Sequence, residues 1–446
     1  MFFNPEIEQM PLTNLRQLQN ERLRKLVHYV YTKVPFYRNI FDEKGIAPKD
    51  IKGVEDLHKL PFTKKSDLRD HYPFGLFAVP ETALRRIHCS SGTTGKPTVV
   101  GYTTNDLELF GNVNARSLMA GGALPGMKLH NAYGYGLFTG GLGLHAGAEK
   151  LGLAVIPVSG GMTDRQLMLL QDFKPEVICC TPSYAQTLAD EIAQRNIPLE
   201  NINLQFAILG AEPWTETIRQ DVEKGLDVTA TNIYGLSEII GPGVSQEDYE
   251  EKGSGSHIWE DHFFPEIVDP ATGEPLPEGK DGVLIFTTLT KEAFPLLRYW
   301  TNDICSLYYD KASKRTHVKM SSIKGRSDDM LIIRGVNFFH TQVEEVIRDI
   351  DHLEPHYQVV VSRPGKMDEA MVKVEVSPDY LATLGLGKTD KAELQEHKNL
   401  IQLQGLLAQK IKNNIGLTMK IQLMNYGTIP RSQGGKLNRV VDLRKQ

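Results

Sequence analysis

Between residues 153 and 235 the chain alternates short β-branched apolar runs with amphipathic segments, and this alternation limits the fold more than any other feature. The runs are "LAVIPV" (153–158), "EVICCT" (176–181), "LQFAILG" (204–210) and "VTATNIYG" (228–235). Helix-like segments at 164–173, 184–195 and 215–225 lie between them. Such alternation predicts a parallel sheet covered by helices on both faces. Ligands then gather at the loops that follow the carboxyl ends of the strands.

Other periodicities surround this α/β section. Leu15, Leu18, Leu23, Leu26, Val27 and Val30 recur at helical spacing and predict an amphipathic helix over 13–34, stopped before Pro35. "VLIFTTL" (283–289) opens an antiparallel section. After about residue 326 come a short run "MLIIRG", helix "TQVEEVIRDI", strands "YQVVVSR" and "AMVKVEVS", a long helix near 391–414 and strand "KIQLMNY". That is a small α+β unit, with its boundary near "GRSDD" (325–329). A length of 446 residues exceeds one ordinary core and predicts two or three domains.

Composition narrows the partners. The formal charge is −5, from 50 basic and 55 acidic residues without a long run of either sign, which argues against nucleic acid or an anionic membrane. No apolar stretch approaches the length of a membrane span, and "MFFNPEIEQM" lacks the pattern of a secretion signal. Cys89, Cys179, Cys180 and Cys305 form no CxxC pair, so reduced thiols in a cytoplasmic protein are expected.

The segments that suggest chemistry begin with "SSGTTGK" (90–96). Its glycines let N–H groups converge, its hydroxyls add donors and its lysine adds charge, all suited to a polyphosphate. It is not a P-loop, because Pro97 follows the lysine. The loop alone reads equally as a polar surface hairpin. "NIYGLSE" (232–238) brings Tyr234 and Glu238 to the end of an apolar strand, where an aromatic can cover a base and a carboxylate can hold Mg2+ against phosphate, or where a plain turn can sit. "LGAEPW" (209–214) offers small residues against which a flat ring could slide. "RYWTND" (298–303) places Asp303 as an acceptor for two ribose hydroxyls, or as a solvated turn acid. Arg326 precedes two acids at the domain boundary, and Lys436 lies in the glycine-loosened loop of "IPRSQGGKLNRV".

The order and separation of these segments resemble the adenylate-forming superfamily of acyl-CoA synthetases and ligases, and within it the phenylacetate–CoA ligase family. The strings "VPFYRNIFDEKG", "LPFTKKSDLRDHYPFGLFAVP", "NAYGYGLFTGGLGLHAGAE", "IPVSGG", "HIWEDHFFPEI" and "TLTKEAFPLLRY" extend the resemblance over nearly the whole chain. It implies an α/β adenylate-forming fold. Residues 1–325 form a large N-terminal domain with parallel-rich sheets covered by helices plus a β section; residues 326–446 form a small mobile α+β domain carrying the catalytic lysine. The implied reaction joins an arylacetic acid to coenzyme A through an acyl-adenylate, with ATP consumed and AMP and pyrophosphate released.

The same resemblance assigns residues. Ser90, Ser91, Gly92, Thr93, Thr94, Gly95 and Lys96 wrap the outer phosphates. Gly210, Ala211, Glu212 and Pro213 line the adenine, with Asn232, Tyr234 and Gly235 at the nucleotide pocket. Ser237 and Glu238 face phosphate and Mg2+, while Asp303 takes the ribose, helped by Arg326. Asp328 is the hinge, and Lys436 bridges carboxylate and α-phosphate during adenylation. Tyr135, Gly136, Phe138, Ala211, Ile239 and Ile240 border the aryl ring. Arg334, Gly335 and Val336 lie on the entry path of CoA. The family also implies a homodimer.

One departure concerns metal. Where relatives carry cysteines suited to zinc, this chain reads "SQEDYEEKGSGSHIWE" and "YYDKASKRTHVKM", keeping only His257 and His317, so no zinc site is expected. Three readings compete: an aryl-acid–CoA ligase acting on phenylacetate or an indoleacetate- or benzoate-like acid, an adenylating protein with a non-CoA acceptor, and a nucleotide binder without catalysis. No carrier domain follows the adenylating unit, which counts against the second. Lys436, Glu238 and Asp303 are all present, which counts against the third.

Overall fold

The computed structural model describes residues 1–90, 97–327, 331–334, 336–364, 367–386, 394, 396–432 and 438–445. Its first long element follows directly from periodicity. Leu15, Leu23, Leu26, Val27 and Val30 recur at three- and four-residue spacings, and they are the buried stripe of the helix Leu12–Lys33. The helix ends at Val34, ahead of Pro35, as a residue preceding proline favours.

Strands β1 (Arg86–Cys89) and β2 (Val99–Tyr102) pair as an antiparallel hairpin. The chain then alternates β3 (Lys128–Asn131), β4 (Ala154–Ile156), β5 (Val177–Cys180), β6 (Phe206–Gly210) and β7 (Thr229–Leu236) with helices Gly140–Leu151, Thr163–Phe173, Pro182–Gln194 and Glu216–Leu226. These five strands are parallel in the spatial order β4-β3-β5-β6-β7. β5 is buried at all four positions, as burial on both faces requires. Alternate residues Leu129, Val177, Cys179, Ile208 and Ile233 share one core with Leu118, Leu144 and Ala148 of the helices Thr104–Ala120 and Gly140–Leu151. The run expected over 153–158 forms a strand only from Ala154 to Ile156, because Pro157 has no N–H for the ladder.

The sheet continues antiparallel through β8 (Gly241–Glu247) and β9 (Ser256–Ile258). β10 (Phe263–Val268), β11 (Gly282–Thr288) and β12 (Tyr299–Cys305) form the expected antiparallel section, with a register shift between Val283 and Ile285. The short β13 (Leu307–Tyr308) and β14 (Lys319–Met320) close the edge of the large sheet beyond β9.

Two compact units result. One comprises Met1–Glu212 and Arg219–Ile323; the other comprises Pro213–Ile218, Lys324–Ser432 and the described residues 438–445. The second unit holds β15 (Gly325–Arg326), the hairpin of β16 (Leu331–Ile333) and β17 (Val336–Phe338), and a sheet of β18 (Leu353–Ser362), β19 (Glu369–Val376), β20 (Lys420–Met424) and β21 (Val440–Asp442). Its order is β20-β19-β18-β21, antiparallel at the centre and parallel at both flanks. Helices His340–Arg348 and Lys398–Ile415 contribute Val343, Ile347, Leu400, Leu407 and Ile411 to a core with Val359, Val361, Val372 and Val374.

Candidate active site

The carboxyl ends of the parallel strands collect the residues singled out from the sequence. β6 ends at Gly210 and β7 carries Tyr234 and Gly235. Glycine is required at both positions because the backbones approach closely: a Cβ at Gly210 would overlap the Ile233 carbonyl, and one at Gly235 the Gly241 carbonyl. The small residues of "LGAEPW" thus serve strand packing first. Ala211 then takes a left-handed turn with φ +70° out of the sheet.

Two sheets meet at Tyr234. Its hydroxyl donates to Asp303 Oδ2 at 2.6 Å, and its ring stacks on Phe286 of β11 with centroids 6.4 Å apart. Asp303 is buried, and its own N–H donates to Thr301 Oγ1 at 3.0 Å. The Asn232 N–H is engaged by Glu247 at 2.9 Å. Beyond β7, the Ser237 and Thr139 hydroxyls lie 3.1 Å apart, Thr139 standing at the start of the helix Gly140–Leu151. Glu238 follows and is 6% exposed, yet no described residue hydrogen-bonds its carboxylate. An isolated carboxylate at a strand end fits Mg2+, which takes one or two protein oxygens and completes its shell with phosphate and water. Among the described residues no group of three or more His, Cys, Asp or Glu side chains could hold a metal ion.

The β1–β2 hairpin brings one end of the Ser/Thr/Gly loop to the same region. Ser90 N–H donates to the Thr98 carbonyl at 2.9 Å, and Thr98 N–H returns to Ser90 Oγ at 3.2 Å. Cys89 N–H and His88 Nδ1 both reach the Leu137 carbonyl, at 3.0 and 2.9 Å, within the "YGYGLFTGG" segment. The flanks of the loop are therefore a hairpin. Ser91, Gly92, Thr93, Thr94, Gly95 and Lys96 lie outside the described residues.

A cavity of ≈ 30 Å³ opens beside these groups, lined by Tyr133, Phe138, Thr139, Ala211, Gly235, Ser237 and others. Of the residues expected at an aryl ring, Phe138 and Ala211 line it. The remaining four do not. Tyr135 accepts from Asn131 at 2.7 Å and meets His145 Nδ1 at 3.2 Å; Gly136 is exposed. Ile239 and Ile240 are fully buried in the core that contains Tyr102 and Phe110, because cores and pockets draw on the same apolar residues. Tyr133 and Thr139 line the cavity and were not singled out by sequence, although both stand inside the quoted segment 131–149.

Other expected positions are more dispersed. The Glu212 carboxylate accepts from the Ser183 hydroxyl at 2.8 Å, and Pro213, in the second unit, is exposed. Arg326 is half-buried in the second unit. Arg334, with φ +52°, donates from Nε to the Asp368 carbonyl at 2.9 Å, and Val336 is half-buried. Asp328, Gly335 and Lys436 lie outside the described residues.

His257 and His317 are tied into the protein at every ring nitrogen. His257 contacts the His317 carbonyl and Ser313 Oγ, both at 3.0 Å. His317 accepts from Glu260 N–H at 3.0 Å and reaches the Ile7 carbonyl at 3.2 Å. Neither ring leaves a nitrogen for a metal.

Known proteins match this arrangement along the chain. Residues 18–289 match the model of the AMP-binding enzyme family, and residues 335–444 that of the AMP-binding enzyme C-terminal domain. A phenylacetate–coenzyme A ligase of Thermus thermophilus is 63% identical over 446 residues, covering 100% of both chains. One of Escherichia coli is 49% identical, covering 98% of this chain and 97% of the other. Among solved structures, 2-hydroxyisobutyryl-CoA ligase in the postadenylation state in complex with 2-HIB-AMP superposes with a TM-score of 0.90 at 26% identity, covering 99% of this chain and 92% of that one. No described helix is long and apolar enough to cross a membrane. The chain belongs to the AMP-binding enzymes, in the family of the phenylacetate–coenzyme A ligases.

Proposed function

We propose that this protein joins an arylacetic acid, phenylacetate or a close analogue, to coenzyme A through an acyl-adenylate, using ATP and releasing AMP and pyrophosphate. The observation that carries this reading is the pairing of Tyr234 with Asp303 at the strand ends, close in sequence to Glu238, whose carboxylate no described residue hydrogen-bonds. A fixed acid beside an aromatic face suits a nucleoside, and the free acid suits the magnesium-bound triphosphate. The names of the relatives supply the acid class.

In this reading the Asp303 carboxylate accepts the ribose hydroxyls while Tyr234 holds it in orientation. Glu238 would hold Mg2+, which would supply charge neutralisation on the phosphates as the acid attacks the α-phosphorus. Ser90, Ser91, Thr93, Thr94 and Lys96 hold the outer phosphates. The aryl ring lies at the Phe138–Ala211 cavity. Residues 326–446 form the mobile domain, with Lys436 bridging carboxylate and α-phosphate in the first half-reaction. A cation that stabilises charge in one conformation only acts on the transition state rather than on bound substrate. CoA enters past Arg334 and Val336. A cytoplasmic setting belongs to this reading. The homodimer belongs to the same reading.

The decisive variant is Lys436→Ala. Acid-dependent pyrophosphate release should fall by at least about a hundredfold, the scale of a lost charge-stabilising group, while thioester formation from supplied arylacetyl-adenylate persists. Survival of both half-reactions would remove the lysine from the mechanism. A screen of arylacetates, indoleacetate and benzoates by AMP release with CoA present tests the acid; a preference for benzoates would replace the arylacetate assignment.

A further inference from the structure

Lys291 has no part in the chemistry above, yet it is only 2% exposed and ranks among the largest fully buried side chains. A buried ammonium is costly unless its protons are matched. Lys319, equally buried, meets that requirement with Glu251, Ser254 and Asp310, each at 2.8 Å. Lys291 does not. Among the described residues its Nζ donates once, to the Glu238 carbonyl at 3.2 Å, and otherwise faces the rings of Tyr102 and Phe294, at 5.3 and 5.1 Å from their centroids. Among the described residues no carboxylate pairs with it directly; Asp106 and Glu238 act on it only from a distance.

The placement of this side chain is enforced. Glu292 and Ala293 N–H groups are held by the Asp106 carboxylate at 2.7 and 2.8 Å, and the Ala293 carbonyl accepts from Ala78 at 3.0 Å. Leu289 N–H is bound to the His262 carbonyl at 2.8 Å. The segment is thus anchored on both sides of Lys291. The ammonium points at the turn after β7. That turn is gripped a second time by the Tyr102 hydroxyl, which donates to the Ile240 carbonyl at 2.7 Å. A methionine could fill the space between the two rings; what it could not do is hold the Glu238 carbonyl.

We infer that Lys291 is a positioning residue for Glu238: its ammonium pins the main chain of the turn so that the neighbouring carboxylate is presented to the magnesium-bound phosphates. This rests on the assignment of Glu238 proposed above. The hydrogen bond to the carbonyl sets where the carboxylate stands, and the side chain itself touches no substrate.

The test compares Lys291→Met, Lys291→Gln and Glu238→Gln in the full-length protein. Four quantities are read: thermal midpoint, ATP affinity with and without Mg2+ by calorimetry, pyrophosphate release, and thioester formation from supplied adenylate. Lys291→Met should keep or raise the thermal midpoint, because an unmatched buried charge is removed. Its magnesium-dependent gain in ATP affinity and its adenylation rate should each fall about tenfold, with the second half-reaction unchanged. Lys291→Gln keeps an N–H donor and should recover most of the loss; if the methionine variant does not fold, this variant against the parent carries the readout. The double variant Lys291→Met/Glu238→Gln should be no worse than Glu238→Gln alone, since the lysine acts through the glutamate. Additive losses, equal loss in both lysine variants, or a lower midpoint with unchanged magnesium dependence would each overturn the inference. If Glu238→Gln leaves the magnesium dependence intact, the assignment of Glu238 itself falls; if it abolishes it and Lys291→Met does not, only the role of Lys291 falls.

Discussion

The segments that follow β7 and β8 both bury carboxylates, and they treat them in opposite ways. After β8, Asp248 pairs with Arg315, whose Nε also donates to Glu8 at 2.8 Å and whose remaining terminal nitrogen reaches the Met1 carbonyl at 2.5 Å. Arg315 and Glu8 have side-chain exposures of 1% and 0%. His257 and His317 continue this network with each ring nitrogen engaged. After β7, no described residue hydrogen-bonds the Glu238 carboxylate, and among the described residues the nearby lysine makes a single hydrogen bond. A saturated cluster has no valence left for a ligand and acts as a staple, here tying residues 1–10 to the segment 248–317. An unsaturated one carries a desolvation cost that a ligand can relieve. Saturation, rather than the number of buried charges, separates structure from site in this protein.

The strongest attack on that contrast is Arg315→Met. It leaves Glu8 and Asp248 buried without their cation, and unfolding in urea should show a loss of about 3–5 kcal/mol, with activity per folded molecule retained. An unchanged midpoint would mean the cluster is no staple. Acid probes the same network. Burial, opposed by Asp261 and reinforced by Arg116 and His257, lowers the pKa of His317 from 6.5 to about 4. The unfolded chain therefore binds a proton that the folded chain refuses, and stability falls as pH drops from 6.5 toward 4. His317→Gln should remove up to about 3 kcal/mol of that acid-dependent loss, measured as the difference between unfolding free energies at the two ends of the window. The smallest effect is expected at the site. Tyr234→Phe deletes one hydrogen bond to Asp303 and should weaken ATP binding by about 1 kcal/mol, roughly fivefold, with the thermal midpoint unmoved. A drop in stability instead would make Tyr234–Asp303 part of the framework and blur the distinction.

Much of this was legible along the chain. Alternating runs between 153 and 235 predict parallel strands, and four appear there with β3 joining them. The stripe Leu15–Val30 predicts its helix to within a few residues. These features are local, set by periodicity and by prolines. The aryl pocket was harder, since buried apolar side chains such as Ile239 and Ile240 suit a pocket wall and a core alike. At Gly210 the close approach of the Ile233 carbonyl from the next strand gives a second, packing reason for glycine that no spacing in the sequence announces.

The sequence by itself determined where the strands end, and so that Tyr234 would stand near the end of β7 with Ser237 and Glu238 just beyond it. It also determined the family, through strings long enough to be specific. Only the tertiary structure decided which charges are matched. Tyr234 finds Asp303 across 69 residues, and Arg315 finds Glu8 across 307, while the Glu238 carboxylate finds no hydrogen-bond partner among the described residues. Hydrogen bonding and desolvation depend on distance through space, and separation along the chain carries no measure of that distance.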